Sequence, residues 1–244
     1  MYSSGRRSLF RFSVFYLSIA IAELGSPFVS ESVPWLHYVA KPMIMISLLG
    51  FYLSQSRFRQ ELSDYLMLGA LLFSLLGDVL LMFEGELFFM LGLGAFLLAH
   101  LCYIGLFSLS HHSFQERSVL RRKPWLLLLF VAYGAGLISL IWPGLGDLYL
   151  PVVVYAVVIC GMSLAALNRW KRVPEDSFAA VFLGSLLFML SDSMIAVERF
   201  AADILPIPLA HTWVMLTYMA AQFLIITGML IQIRRPRPQV AGMN

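Results

Sequence analysis

Charged residues are scarce in this sequence. They make up 13% of its 244 residues, whereas hydrophobic residues make up 60% and the mean hydropathy is +0.81. Soluble domains carry about 25% charged residues, so this composition excludes an ordinary soluble protein. The chain has only two cysteines, Cys102 and Cys160, and therefore contains neither a disulfide framework nor a Cys-x-x-Cys metal motif.

The sequence is instead rich in long apolar segments. A helix needs about 20 such residues to cross roughly 30 Å of hydrocarbon. Eight windows of this kind predict spans over Leu9–Leu24, Pro34–Leu53, Asp64–Phe83, Leu87–Ser108, Pro124–Trp142, Tyr149–Leu167, Ser177–Val197 and Leu209–Ile231. We therefore expect an all-α polytopic membrane protein with eight transmembrane helices. It would form a single membrane domain over residues 1–244, with a short N-terminus (1–8) and a C-terminal tail (232–244).

Basic residues lie between or beyond these spans in a regular alternation. All of the 17 except Arg199 and Lys41 fall before or at the start of span 1, between spans 2 and 3, 4 and 5, and 6 and 7, or after span 8. Segments rich in lysine and arginine stay in the cytoplasm, which predicts cytoplasmic termini and a bacterial cytoplasmic (inner) membrane. The basic residues form no contiguous patch with interleaved aromatic residues, so no nucleic-acid partner is expected.

The first span allows a second interpretation. Arg6, Arg7 and Arg11, together with the apolar run to Ala22, also match a signal peptide with a small-residue cleavage site. The charge pattern fits both alternatives, because a cleaved chain would simply start outside.

Two spans share a short pattern. Leu68-Gly-Ala-Leu-Leu-Phe73 and Leu183-Gly-Ser-Leu-Leu-Phe188 are each followed, four or five residues later, by an aspartate. Both spans run from inside to outside, so a repeat would be a parallel 4+4 arrangement about an axis along the membrane normal. Chance similarity between leucine-rich helices explains the pattern equally well.

The aspartates after this pattern, Asp78 and Asp192, stand within apolar segments. A carboxylate in hydrocarbon costs at least a few kcal/mol, so each is expected to face the bundle interior with a partner. Small residues share their helix faces, namely Ser74 near Asp78 and Gly184 and Ser185 near Asp192. These faces are predicted to be helix–helix contacts.

Depth along each helix predicts which polar groups meet. At about 1.5 Å per residue, Asp78 and Asp192 lie about 7 Å below the outer boundary of their spans, and Lys41 and Tyr155 lie about 10 Å below it. Glu23 is near the outer end of span 1. Three carboxyl groups and one ammonium group cannot all be ionised comfortably in one layer, so at least one acid is expected to stay protonated. An acid and a base in one site form a catalytic pair.

A deeper layer carries further polar side chains. His100 and Gln222 lie about 20 Å from the outer edge, on helical stripes that also contain Tyr103 and Tyr218. These residues are expected to floor a pocket open to the outer leaflet. For His100, a hydrogen-bonded core histidine is an equally good interpretation.

In order and spacing, the chain resembles the YhhN-like family of integral membrane proteins, which contains the lysoplasmalogenases. The resemblance covers nearly the whole chain and rests on Lys41-Pro42, Gly77-Asp78, Phe96, His100, Tyr103, Tyr155, Met162, Gly184, Phe188, Ser191-Asp192-Ser193, Tyr218 and Gln222. It implies an eight-span hydrolase that cleaves the vinyl-ether bond of lysoplasmalogens to a fatty aldehyde and glycerophosphoethanolamine or glycerophosphocholine. It implies no cofactor and no known metal requirement; the partners are a lysophospholipid substrate and the lipid bilayer.

The chemistry of a vinyl ether suits two carboxyl groups. Protonation of its terminal carbon makes an oxocarbenium ion, which water traps as a hemiacetal. This path needs a protonated acid and a nearby carboxylate, as in glycosidases. Asp78 and Asp192 are the candidate catalytic residues, and either one fits the role of the acid. The candidate substrate-binding or supporting residues are Lys41, His100, Tyr103, Tyr155, Ser191, Tyr218, Gln222 and Glu23.

Three alternatives remain open. A proton-coupled lipid or small-molecule transporter would use the same acids but needs broken helices, for which Lys41-Pro42 is the main hint. A zinc-dependent membrane hydrolase of the ceramidase kind needs several histidines in one layer, where only His37 and His211 lie near span ends. A structural or adaptor protein would use the aspartates only to lock the bundle.

Overall fold

The fold is a bundle of helices. A computed structural model describes residues 2–30, 32–56, 58, 60–109 and 118–234. Its α-helices are α1 (Tyr2–Gly25), α2 (Leu36–Gln55), α3 (Leu62–Leu80), α4 (Glu86–Leu109), α5 (Val119–Arg122), α6 (Leu126–Ile141), α7 (Tyr149–Leu167), α8 (Glu175–Phe200) and α9 (Ala210–Arg234). All of these except α5 are long and apolar enough to cross a membrane. The prediction of an all-α membrane protein with eight transmembrane helices is confirmed.

The helix ends differ most from the predicted spans. Helix α1 begins at Tyr2 rather than Leu9, and α9 continues to Arg234 rather than ending at Ile231. Arginine is a good helix former, so the backbone continues as helix beyond the apolar part of each segment. The short helix α5 was not predicted. Most of the predicted C-terminal tail, from residue 235 onward, lies outside the described residues.

Close helix packing depends on small residues. The most extensive contacts join α3 to α4 and α8 to α9. A Cβ atom added to Gly184 would lie 2.9 Å from the carbonyl oxygen of Ala221, and one added to Gly77 would lie 2.6 Å from the Phe96 ring. Contacts this short leave no room for a side chain. The predicted helix–helix contact is therefore confirmed at Gly184, and Gly77 adds a close contact that was not predicted.

Helix contacts place α9 in the interior and α1 and α6 at the periphery. Neighbouring helices touch in the order α1, α2, α3, α4, α7, α8, α9, and α9 returns to contact α1 and α2. Helix α6 packs on the outside against α7 and α8. Helix α9 is the most buried of the apolar helices, while α1 and α6 are the least buried.

The bundle has two chemically different ends. The basic end contains residues 56, 58, 60–61, 118–125 and 168–174, with Arg121, Arg122, Lys123, Arg169 and Lys171. The opposite end contains residues 26–30, 32–35, 81–85, 142–148 and 201–209. Asp78 is two residues from the end of α3, and Asp192 is eight residues from the end of α8, so both lie toward the opposite end.

Candidate active site

Asp192 lies where α8 meets α4 and α7. The hydroxyl of Tyr155 on α7 donates a hydrogen bond to Asp192 Oδ2. The Nε2 atom of His100 on α4 lies 3.6 Å from the same oxygen, and neither ring nitrogen of this fully buried histidine has a hydrogen-bond partner among the described residues. Buried polar atoms without partners are rare in native proteins. His100 therefore offers a free donor and acceptor beside the carboxyl group.

Asp78 is held by a second tyrosine and is more enclosed. The hydroxyl of Tyr218 on α9 donates to Asp78 Oδ2 over 2.8 Å. One helical turn further along α9, Gln222 accepts a hydrogen bond from the Tyr103 hydroxyl at 2.6 Å and donates to Ser74 Oγ at 3.0 Å. These bonds tie α3, α4 and α9 together behind the carboxyl group.

Two phenylalanines lie between the aspartate clusters. The Phe188 ring lies edge-on to His100 at 4.7 Å and to Tyr218 at 5.3 Å between centroids. Phe96 lies edge-on to Tyr218 at 5.8 Å. The two aspartate clusters therefore share the Phe188 ring as a neighbour. They form one site with an aromatic partition rather than a directly bonded pair.

Other predicted site residues lie at different distances from this centre. The buried Lys41 interacts electrostatically with Asp78, and so does Glu23. Ser191 points elsewhere, because its hydroxyl donates to the carbonyl of Val214 at 3.1 Å and so links α8 to α9. The structure therefore brings Lys41 to the site but gives Ser191 a packing contact.

The predicted layering was wrong for His100. Counting Cα positions placed it deeper than Asp192, whereas the two side chains are neighbours. Side chains lean toward the N-terminus of their own helix. Because α4 and α8 are antiparallel, His100 leans toward the opposite end and Asp192 leans toward the basic end, which closes the gap. Tyr218 meets Asp78 in the same way.

An apolar cavity adjoins Asp192 at the opposite end of the bundle. Its cavity volume is about 40 Å³, and the about 430 Å³ of empty space between its lining residues includes space that is open to the surroundings. Its lining consists of Tyr155 and Asp192 with Leu81, Phe89, Leu93, Phe96, Val152, Ile195, Ala196 and Phe200. The cavity therefore presents one carboxyl group and one phenol to an otherwise hydrocarbon-like space, which suits an alkyl chain with a reactive polar junction.

Comparison with known proteins places the chain in a family. Residues 36–229 match the model of the YhhN family. The chain belongs to the YhhN family. It is 32% identical over 212 residues to the human protein named "Lysoplasmalogenase TMEM86B", covering 86% of this chain and 80% of that protein. It is 39% identical over 163 residues to "Lysoplasmalogenase" of Mycobacterium bovis, covering 65% of this chain and 58% of that protein. No solved structure matches it.

The YhhN region contains every predicted site residue except Glu23. The structure gives Glu23 other partners, since its Oε1 atom lies 2.9 Å from His37 Nδ1 and 3.4 Å from His211 Nε2. Sequence reasoning had noted both histidines near span ends without joining them to Glu23. The three residues come from α1, α2 and α9, so no sequence spacing could have revealed the contact.

The transporter alternative loses its main support in this YhhN chain. Helix α2 runs unbroken from Leu36 to Gln55 with Pro42 inside it. The Lys41-Pro42 pair therefore does not mark a broken helix of the kind that transporter sites use.

Proposed function

We propose that this protein is a membrane lysoplasmalogenase, a hydrolase that acts on the vinyl-ether bond of single-chain alkenyl glycerophospholipids. The observation that carries the proposal is the Asp192–Tyr155 pair at the wall of an apolar cavity, with the second carboxyl group, that of Asp78, bonded to Tyr218 on the other side of the Phe188 ring. The printed names of the YhhN relatives support the same activity.

The cavity provides a place for the alkenyl chain. Its apolar lining would take the hydrocarbon, and the vinyl-ether junction would then lie against Asp192 and Tyr155. Basic segments favour the cytoplasmic side of a membrane, which would put the cavity toward the outer leaflet and both termini in the cytoplasm of a bacterial cell. A lysophospholipid could then enter from the bilayer with its head group at the interface.

The reaction has a simple balance. A carboxylic acid transfers a proton to the alkenyl carbon that does not carry oxygen, and the carbon–oxygen unit becomes an oxocarbenium ion. Water adds to this ion and releases a proton, giving a hemiacetal. The hemiacetal then breaks its bond to the glycerol oxygen, which leaves as the free alcohol with a proton. The sum is one vinyl ether and one water converted to one aldehyde and one glycerophospho alcohol.

The contacts suggest how the aspartates divide this work. Asp192 lines the cavity and would therefore protonate the substrate. Asp78 lies behind the Phe188 and Phe96 rings, and Lys41 offers a counter-charge for its carboxylate. Its field would stabilise the oxocarbenium ion in a largely apolar site, where electrostatic interactions are stronger than in water. His100, with both ring nitrogens unpartnered, would hold the attacking water.

The test is aldehyde release from a lysoplasmalogen by the purified protein in detergent. In D₂O, the expected aldehyde carries one deuterium on the carbon next to the carbonyl, because that carbon receives the proton. In H₂¹⁸O, the glycerophospho product should contain no ¹⁸O, because the glycerol oxygen is retained. The saturated alkyl-ether analogue, which cannot form the cation by protonation, serves as the control and should not react. Absence of aldehyde, or ¹⁸O in the alcohol, would overturn the proposal.

A further inference from the structure

A second cluster of polar side chains lies at the opposite end of the bundle, outside the aspartate site. Glu23 on α1, His37 on α2 and His211 on α9 form the Glu23 cluster. Glu23 Oε1 lies 2.9 Å from His37 Nδ1 and 3.4 Å from His211 Nε2, and the two imidazole rings are 5.3 Å apart between centroids. One ligand atom from each residue fits within 4.8 Å of the others.

The carboxylate of this cluster is incompletely satisfied. Glu23 is fully buried, and its Oε2 atom has no hydrogen-bond partner in the part of the chain that the structure describes. The buried Nε2 atom of His211, which faces the carboxylate, also lacks one. A buried carboxylate needs a compensating charge, which a cation held between the three groups would supply. The arrangement therefore has room for a cation among three groups that are all potential ligands.

The ligand set and the spacing suit zinc. Zinc binds imidazole nitrogen and carboxylate oxygen at about 2.0–2.2 Å, and tetrahedral geometry then separates ligand atoms by about 3.4 Å. The observed separations of 2.9 and 3.4 Å are close to that value. Calcium and magnesium prefer all-oxygen sites, so two histidines disfavour them.

The cluster can also be reached from outside. The side chains of His37 and His211 are 28% and 38% exposed, whereas Glu23 forms the buried floor. An ion can thus enter past the histidines and keep a fourth position for water. Glu23 on α1 lies outside the region that matches the YhhN family, whereas His37 and His211 lie within it.

We propose that Glu23, His37 and His211 bind a zinc ion that fastens the ends of α1, α2 and α9 together. His37 would bind through Nδ1, His211 through Nε2 and Glu23 through its carboxylate. The link would stabilise the packing of the peripheral helix α1 most, because few residues of α1 are buried against the bundle.

Zinc titration of the full-length protein in detergent tests this site. The protein is stripped with EDTA, transferred to metal-free buffer and titrated against a chromophoric zinc chelator. We expect one zinc per wild-type chain and at least 100-fold weaker binding in Glu23→Gln, His37→Gln and His211→Gln. Two controls should bind like wild type: Glu86→Gln, an exposed acid at the same end, and the double variant His111→Gln/His112→Gln.

A second measurement separates ligand loss from misfolding. Zinc should raise the melting temperature of the wild-type protein and leave that of Glu23→Gln unchanged, because an ion that binds only the folded state stabilises it. In His37→Cys, cobalt should give a thiolate-to-metal absorption band that the wild type lacks. Absence of stoichiometric zinc in the wild type, wild-type affinity in all three ligand variants, or absence of the cobalt band would overturn the site. These readouts follow metal rather than aldehyde, so the outcome is independent of the proposed hydrolase activity.

Discussion

Asp78 and Asp192 follow similar sequence patterns, yet the bundle gives them different surroundings. Each carboxyl group accepts a hydrogen bond from a tyrosine, Tyr218 for Asp78 and Tyr155 for Asp192. Asp78 is 2% exposed and lies behind aromatic rings, whereas Asp192 borders the apolar cavity. Two similar sequence patterns can thus supply different functions: Asp192 is placed to touch a substrate, and Asp78 is placed to act on it only through its charge.

The hydrogen bonds among the residues around the two aspartates differ as well. On the Asp78 side, Tyr103, Gln222 and Ser74 are linked by hydrogen bonds of 2.6 and 3.0 Å. On the Asp192 side, neither ring nitrogen of His100 forms a hydrogen bond with a described residue. A saturated network fixes geometry, and an unsatisfied group beside a cavity is available to a ligand.

The largest predicted effect comes from exchanging the carboxyl groups for amides. We expect Asp192→Asn to lower kcat for aldehyde release by about 10³-fold, because loss of a general acid typically costs 10²- to 10⁴-fold. Asp78→Asn should cost about 10²-fold, since removal of one electrostatic contributor is usually of this size. Asp203→Asn, which changes an exposed acid, is the matched control. Equal losses in both variants would remove the distinction between the two aspartates, and a larger loss at Asp78 would reverse it.

The tyrosines give the next largest effect. We expect Tyr155→Phe to lower kcat by about 10- to 100-fold, because its hydrogen bond would stabilise the negative charge that develops on Asp192 as the proton leaves. A hydrogen bond to a charged group contributes about 1.5–3 kcal/mol, and Tyr155 also lines the cavity. Tyr218→Phe should lower kcat by no more than about tenfold, because its bond orients a carboxyl group that does not border the cavity. The test measures kcat by steady-state kinetics and the melting temperature for both variants. A greater loss for Tyr218→Phe would place the reacting carbon at Asp78.

Cavity shape should determine chain-length preference, and only on the Asp192 side. Ala196→Phe would fill part of the cavity, so we expect KM for a long-chain substrate to rise about tenfold while a short-chain substrate is affected less. The comparison uses two lysoplasmalogens that differ only in alkenyl length. Leu190→Phe is a suitable control, because Leu190 is on the same helix but 44% exposed. Equal effects on both substrates would mean that the alkenyl chain lies elsewhere.

Much of this arrangement follows from sequence, for physical reasons that also define its limits. A carboxylate in a transmembrane helix must face the interior, so the roles of Asp78 and Asp192 as buried, partnered groups could be predicted. Their partners on other helices could not be predicted, because helix tilt and side-chain direction decide which residues of neighbouring helices come into contact. His100 shows this, since a count of residues placed it in a deeper layer than the aspartate it adjoins. Glu23 shows it again, because its nearest ligating groups come from α2 and α9.

Ser191 provides the smallest predicted effect and the sharpest check on the limits of the site. It precedes Asp192 in the chain, but neighbours along a helix point in directions about 100° apart, and its hydroxyl bonds the Val214 carbonyl instead. We expect Ser191→Ala to change kcat by less than about threefold. It should lower the free energy of unfolding by about 0.5–1.5 kcal/mol, the usual contribution of one hydrogen bond. Kinetics and thermal denaturation of the same sample test both parts. A large fall in kcat at an unchanged melting temperature would mean that Ser191 turns toward Asp192 when substrate is bound, and the contrast between packing and reacting residues on α8 would fail.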